Sequence, residues 1–152
     1  MHEQELPFDE LVVDTSVVVK FLVEEPDSDN AEALHRSFVL GAVKLVAPDF
    51  LFIEAANALW VMSLRGQLTE IEAQSKITAL VSISRHMKVV PAAALVHEAF
   101  RTACRYAHAP YDTAFLALAE SRRIPLVTAD KRFYNKVRVH SSSAVLLRDL
   151  PL

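Results

Sequence analysis

The sequence predicts an α/β fold: a three-layer α/β/α sandwich whose central parallel sheet has four to five strands, in one domain covering residues 1–152. Two observations carry that prediction. Short apolar runs alternate with segments of helical length that bear their own start and stop signals, and such alternation calls for a parallel sheet covered on both faces. The composition, 52% hydrophobic and 23% charged, is that of a globular chain without a repeat, linker or low-complexity stretch.

The elements follow in order. Leu11-Val12-Val13 reads as a buried strand ending at Asp14. Asp14, Thr15 or Ser16 then caps a helix through about Phe21. Glu24 to Asn30 is polar, contains Pro26 and reads as a loop. Asp29 or Asn30 starts a second helix, which runs through Leu34 and Phe38 and is ended by Gly41. Lys44-Leu45-Val46-Ala47 is the second strand, closed by Pro48. Asp49 is expected to cap the most apolar helix, which runs to Arg65 and stops at Gly66. Thr69 and Glu72 have the spacing of a capping box and open a helix through about Arg85. Met87-Lys88-Val89-Val90 is the third strand, and Pro91 is expected to open a helix reaching Tyr106. Tyr111 to Arg122 is helical, Leu126-Val127-Thr128 is the fourth strand, Ala129 to Lys136 a short helix, and Ala144 to Leu147 a last strand.

Composition excludes several classes of function. Gly41 and Gly66 are the only glycines, too few for a Gly-rich loop around a dinucleotide or nucleotide phosphate. The single Cys104 can form neither an internal disulfide nor a thiolate zinc site, and fits a reducing compartment. The acidic start Met1-His2-Glu3-Gln4-Glu5 is unlike a signal peptide, and no apolar run is long enough to span a bilayer, so a cytoplasmic protein is expected. The net charge of −3 does not suggest a nucleic-acid binder, but its distribution is uneven. Before residue 31 Lys20 is the only basic side chain other than histidine, against nine acidic ones. Arg101, Arg105, Arg122, Arg123, Lys131, Arg132, Lys136 and Arg138 invert that balance later; they read equally as solvated helix faces or as a surface that tracks phosphates.

Four carboxylates stand where apolar side chains would be expected. Asp14 ends the first strand, Glu54 interrupts Phe50-Leu51-Phe52-Ile53-Glu54-Ala55-Ala56, Asp112 lies near a helix start, and Asp130 follows the fourth strand. Burying a lone carboxylate costs several kcal/mol, roughly, unless it is paired or binds a metal. In an open parallel sheet the carboxyl ends of the strands form the ligand crevice, and all four map to that edge. Oxygen-only ligands select Mg²⁺ or Mn²⁺ over zinc, and such ions serve phosphodiester hydrolysis. Taken singly, each has a plainer reading: Asp14 as a helix cap, Asp112 and Asp130 as first-turn carboxylates favoured by the helix dipole, Glu54 in a salt bridge or a small exposed window.

In order and spacing the conspicuous blocks resemble the PIN-domain family, and within it the VapC group of toxins. The blocks are Val12-Val13-Asp14-Thr15-Ser16-Val17, Ala47-Pro48 with Glu54-Ala55-Ala56-Asn57-Ala58-Leu59, Tyr111-Asp112-Thr113-Ala114-Phe115-Leu116, and Leu126-Val127-Thr128-Ala129-Asp130. The resemblance implies that Asp14, Glu54, Asp112 and Asp130 bind one or two Mg²⁺ or Mn²⁺ ions and form the catalytic set of an endoribonuclease. It also implies hydrolysis by metal-activated water, giving 5′-phosphate and 3′-hydroxyl ends, with tRNA or rRNA as target. Ser16 and Thr128 match hydroxyls that orient the site or touch phosphate, Asn57 lies one turn after Glu54 on the same helix face, and Lys20 matches a position often basic. A homodimer silenced by a cognate antitoxin is implied as well. The apolar surface of the Phe50 to Leu64 helix, with Phe52, Trp60 and Met62, and the next helix, with Ile71, Ile77, Leu80 and Val81, fit such a partner surface or a well-filled core.

Other readings fit less of the chain. His35, His86, His97, His108 and His140 have no metal-ligand spacing; of these only His108, close to Asp112, is a candidate for RNA contact. A haloacid-dehalogenase-type phosphatase needs a second Asp two residues after the first, and Ser16 occupies that place. A response-regulator receiver needs an acidic pair before the first helix and a late lysine, neither of which can be placed. The runner-up is a catalytically silent PIN-like module that binds RNA or a protein.

Overall fold

A computed structural model describes residues 6–152, so the acidic stretch Met1 to Glu5, on which the expectation of no leader rests, lies outside the described residues. The first half of the chain comprises β1 (Glu10–Val13), α1 (Thr15–Leu22), α2 (Ser28–Val39), β2 (Lys44–Pro48), α3 (Leu51–Leu64) and α4 (Glu70–Ser84). The second half comprises β3 (Lys88–Val90), α5 (Val96–Tyr106), α6 (Pro110–Arg122), β4 (Leu126–Thr128), α7 (Lys131–Val137) and β5 (Ala144–Leu146). Short 3₁₀ turns cover Ala92–Ala94 and Leu147–Asp149. Among the described residues no helix is long and apolar enough to cross a membrane.

The five strands form one sheet in the order β3-β2-β1-β4-β5, and every pair is parallel. This is the α/β sandwich that the strand–helix alternation predicts. From β1 the chain steps outward through β2 to β3, then crosses back to β4 on the other side of β1. Right-handed crossovers therefore put α1 to α4 on one face and α5 to α7 on the other. The direction of winding reverses between β1 and β4, and at such a point the carboxyl ends of the strands open into a crevice.

Leu11, Val12 and Val13 of β1, and Leu126 and Val127 of β4, are fully buried, which explains their continuous rather than alternating apolar pattern. Phe115 of α6 packs beneath the sheet at 1% exposure, and a change to alanine there costs about 3–5 kcal/mol in lost transfer and cavity.

Helix ends follow local chemistry. Gly41 and Gly66 take φ of +76° and +71°, and at each the glycine N–H and the next one reach back to the last helical turn, as in Ala42 N–H to Ser37 O and Gln67 N–H to Met62 O. The capping box forms as the spacing predicts: Glu72 N–H donates to Thr69 Oγ1, and Thr69 N–H donates to Glu72 Oε2.

Four boundaries differ from the sequence reading. Helix α2 begins at Ser28, because Asp27 adopts a left-handed φ of 67° and turns the chain into the helix early. Asp49 does not cap α3; its Oδ1 accepts from Ala92 N–H, tying β2 to the turn after β3, and Phe50 holds the N-cap position. Pro91 opens only the 3₁₀ turn, and α5 starts afresh at Val96. Helix α7 starts at Lys131 because Asp130, not Ala129, is its cap, accepting from Phe133 N–H at 3.0 Å.

Candidate active site

Asp14 follows the last residue of β1 and is 7% exposed at the β1/β4 crevice. It occupies the N-cap position of α1 but makes no side-chain cap bond, so capping does not account for it. Its Oδ2 instead accepts from Ser16 Oγ at 2.6 Å and from the fully buried Thr128 Oγ1 at 2.8 Å. These hydroxyls are part of a larger mesh. Ser16 Oγ accepts from Ala129 N–H at 3.0 Å, Thr128 Oγ1 accepts from Asp130 N–H at 3.1 Å, and the two oxygens lie 3.5 Å apart. The end of β4 is thereby stitched to the start of α1 around one carboxylate.

The other three carboxylates arrive from three helices. Glu54, half-buried, lies in the first turn of α3 rather than mid-helix, and its Oε1 accepts from Thr15 Oγ1 at 2.9 Å. Asp112, in the first turn of α6, has its Oδ2 2.5 Å from His108 Nε2. Asp130 caps α7 through Oδ1. Burial pushes the Asp14 carboxyl above the usual range; the Ser16 and Thr128 hydroxyls oppose this, and the charges of Asp112 and Asp130 add to it. Burial likewise raises Glu54, opposed by Thr15 and reinforced by Asp14 and Asp112. Asp14 thus senses the charges of Asp112 and Asp130, and Glu54 those of Asp14 and Asp112.

Of the residues expected beside them, Ser16 and Thr128 lie on Asp14, whereas Asn57 is exposed one turn beyond Glu54. Two contacts were not foreseen. Thr15, weighed in the sequence only as a cap, holds Glu54 across 39 residues, a distance at which no local pattern signals contact. His108 engages Asp112, and its signal was the four-residue spacing at a helix start. Lys20 is 11% exposed and pairs with Glu25 at 3.1 Å. Both line a cleft of about 360 Å³ with Thr15, Ser16 and Ala129. Glu25 and Met62 are shared with a neighbouring groove of about 440 Å³ between the α1–α2 loop and α3–α4.

The donor chemistry fits a hard divalent cation: carboxylate oxygens only, the most buried of them destabilised as an anion by its surroundings. Among the described residues no three such side chains are drawn together as a ready-made cage. Asp112 is engaged by His108, and one oxygen of Asp130 by the α7 backbone.

Comparison with known proteins gives a consistent result. The PIN domain family model matches residues 11–139. Ribonuclease VapC3 of Pyrobaculum aerophilum is 34% identical over 126 residues, covering 83% of this chain and 93% of that one. Among solved structures, PAE2754 from Pyrobaculum aerophilum superposes with a TM-score of 0.66 at 22% identity, covering 91% of this chain and 90% of its own. A toxin-antitoxin complex from Klebsiella pneumoniae gives 0.58 at 14% identity, covering 90% and 97%. VapC20 of Mycobacterium tuberculosis, a Sarcin-Ricin loop cleaving toxin, gives 0.61 at 16%, covering 82% and 93%. At these identities the structural likenesses carry the fold alone.

Proposed function

From the premise that the chain belongs to the PIN domain family, we propose that it is a metal-dependent endoribonuclease, the toxin of a type II toxin–antitoxin pair, leaving 5′-phosphate and 3′-hydroxyl ends. The observation that supports this most is the buried Asp14, set at the reversal point of the sheet and facing the charges of Glu54, Asp112 and Asp130. Asp14, Glu54, Asp112 and Asp130 would hold Mg²⁺ or Mn²⁺. Such an ion supplies charge to activate water and to stabilise a phosphodiester in in-line displacement.

The chain's own residues have distinct parts in this reading. Ser16 and Thr128 fix the Asp14 carboxylate in one orientation with both donors on Oδ2, which leaves Oδ1 free to face the cation. Thr15 performs the same service for Glu54 and leaves Oε2 free. His108 holds one oxygen of Asp112. Desolvation makes Asp14 a poor anion on its own and therefore a strong ligand for a cation.

RNA, with tRNA or rRNA as targets, is the substrate proposed, and VapC3's ribonuclease name supports it. An antitoxin partner is proposed too, supported by the toxin-antitoxin complex among the structural neighbours. The groove between the α1–α2 loop and α3–α4 leads away from the carboxylates and offers a course for a peptide. Ile53, Trp60 and Ile71 are 75%, 58% and 81% exposed and offer apolar surface for a homodimer or the antitoxin. We assign the protein to the cytoplasm with its RNA target.

The alternative is a catalytically silent PIN-like module that binds RNA or a protein. Against it stands the cost of burying the Asp14 and Glu54 carboxylates near other acidic groups, which a binding module has no reason to bear. The deciding experiment incubates purified protein, freed of any antitoxin, with total cellular RNA in the presence of Mg²⁺, Mn²⁺ or chelator. Cleavage only with metal, giving 5′-phosphate ends, is expected. Products with 2′,3′-cyclic phosphates, or no cleavage by folded protein, would overturn the proposal.

A further inference from the structure

Tyr111 immediately precedes Asp112 and is 68% exposed, although it belongs to a helix whose next residues, Thr113 to Ala119, are all buried. Its ring is not loose. Phe50 meets it edge-to-face, with centroids 6.5 Å apart and planes at 82°, and Phe50 meets Phe115 in the same way at 5.4 Å and 83°. Phe115 is 1% exposed, so the chain of rings is rooted in the core. Phe50 sits at the N-cap of α3, and its carbonyl accepts from Glu54 N–H at 3.0 Å. The aromatic chain thus spans the starts of the two helices that carry Glu54 and Asp112, and its outermost ring stands open to solvent one residue before Asp112.

On α7, directly after Asp130, Lys131 and Arg132 are exposed and form no ion pair among the described residues. Exposed cations together with an anchored aromatic ring, each adjoining a site carboxylate in the chain, are what an unpaired RNA strand needs: charges for its phosphates and a flat surface for a base. A protein partner without acidic side chains would gain from the ring but not from the cations. We propose that Tyr111 is a substrate-positioning residue, the platform on which an unpaired base of the RNA stacks next to the phosphate to be cut, while Lys131 and Arg132 receive the backbone. A ring already held by Phe50 loses little rotamer freedom on stacking, so most of the stacking energy appears as affinity. This inference rests on the endoribonuclease reading.

The test compares the wild type with Tyr111→Phe, Tyr111→Leu and Tyr111→Ala in the full chain. Steady-state cleavage with Mg²⁺ is measured on an RNA that the wild type cuts, and binding on a short unstructured RNA carrying 2-aminopurine, read by its fluorescence. Leu and Ala are expected to raise KM about ten-fold or more with kcat within about three-fold, while Phe behaves as the wild type. Quenching of 2-aminopurine is expected with Tyr and Phe and lost with Leu, at unchanged melting temperature and unchanged mass by light scattering. The proposal is overturned if Leu cleaves and binds as the wild type does, or if kcat falls at constant KM. A drop in mass in the Leu variant would overturn it in favour of a contact between copies of this chain. A wild type that neither cuts nor binds RNA removes the ribonuclease reading and this proposal together, whereas a wild type that cuts equally well without the ring removes only the proposal.

Discussion

Replacing Asp14 by Asn should abolish activity and yet make the metal-free protein more stable. The unfolded carboxyl titrates near 3.8, and burial together with the nearby Asp112 and Asp130 charges raises it in the fold. Between those two values the folded state holds more protons than the unfolded one, so stability falls as pH rises through the folded pKa. At neutral pH the carboxyl therefore contributes against folding, since its burial disfavours the charged form that the unfolded chain carries freely. Asn removes the charge and keeps an amide oxygen to accept from Ser16 and Thr128, although each bond weakens when its acceptor is neutral. Stabilising substitutions commonly give about 0.5–2 kcal/mol, which for a chain of this size raises Tm by roughly 1–8 °C. Calorimetry or dye-monitored melting in chelator at neutral pH reads the difference directly. The gap between wild type and variant should close as the pH is lowered and Asp14 takes up its proton. A variant that melts lower than the wild type in chelator, or a gap that ignores pH, would refute the electrostatic reading of the crevice.

Three further outcomes follow from the same geometry. Thr128→Val keeps the shape but leaves Asp14 with Ser16 alone and Asp130 N–H without an acceptor; we expect a loss of about 1–3 kcal/mol in urea unfolding and a 10–100-fold loss, roughly, in metal affinity by calorimetric titration. Glu10 accepts from both Nε and Nη2 of Arg122, whose hydrogen bonds hold its carboxyl below the usual 4.5. That stabilisation is present above 4.5 and is lost as pH falls through the lowered pKa, so Glu10→Gln should cost about 1 kcal/mol at neutral pH and nothing in strong acid, read from denaturant midpoints. Gly66→Ala meets no atom within 4 Å but must hold a φ of +71°, so a cost of about 1 kcal/mol in thermal unfolding is expected without any clash.

Much of this architecture is legible in the sequence because its signals are local. Leu11-Val12-Val13 before Asp14 and Leu126-Val127 before Thr128 announce strands buried on both faces, and Thr69 with Glu72 announces a helix start. The candidate site is legible for a related reason, since a carboxylate inside an apolar block such as that around Glu54 demands an explanation. What stayed hidden depends on pairings between distant residues. Thr15 looks like one more helix-capping hydroxyl until α3 brings Glu54 to it. Asp49 looks like a cap until β3 brings Ala92 within reach. Tyr111 looks like core filler in an apolar helix, and only its 68% exposure shows that it faces outward.

The measurement that bears most directly on the central claim is RNA cleavage with Mg²⁺ by the wild type and by four single variants, Asp14→Asn, Glu54→Gln, Asp112→Asn and Asp130→Asn, each verified as folded. The account predicts that every variant loses at least about a hundred-fold in kcat/KM while retaining its fold, and that chelator silences the wild type. Full cleavage by any one of the four, or cleavage that survives chelation, would contradict it.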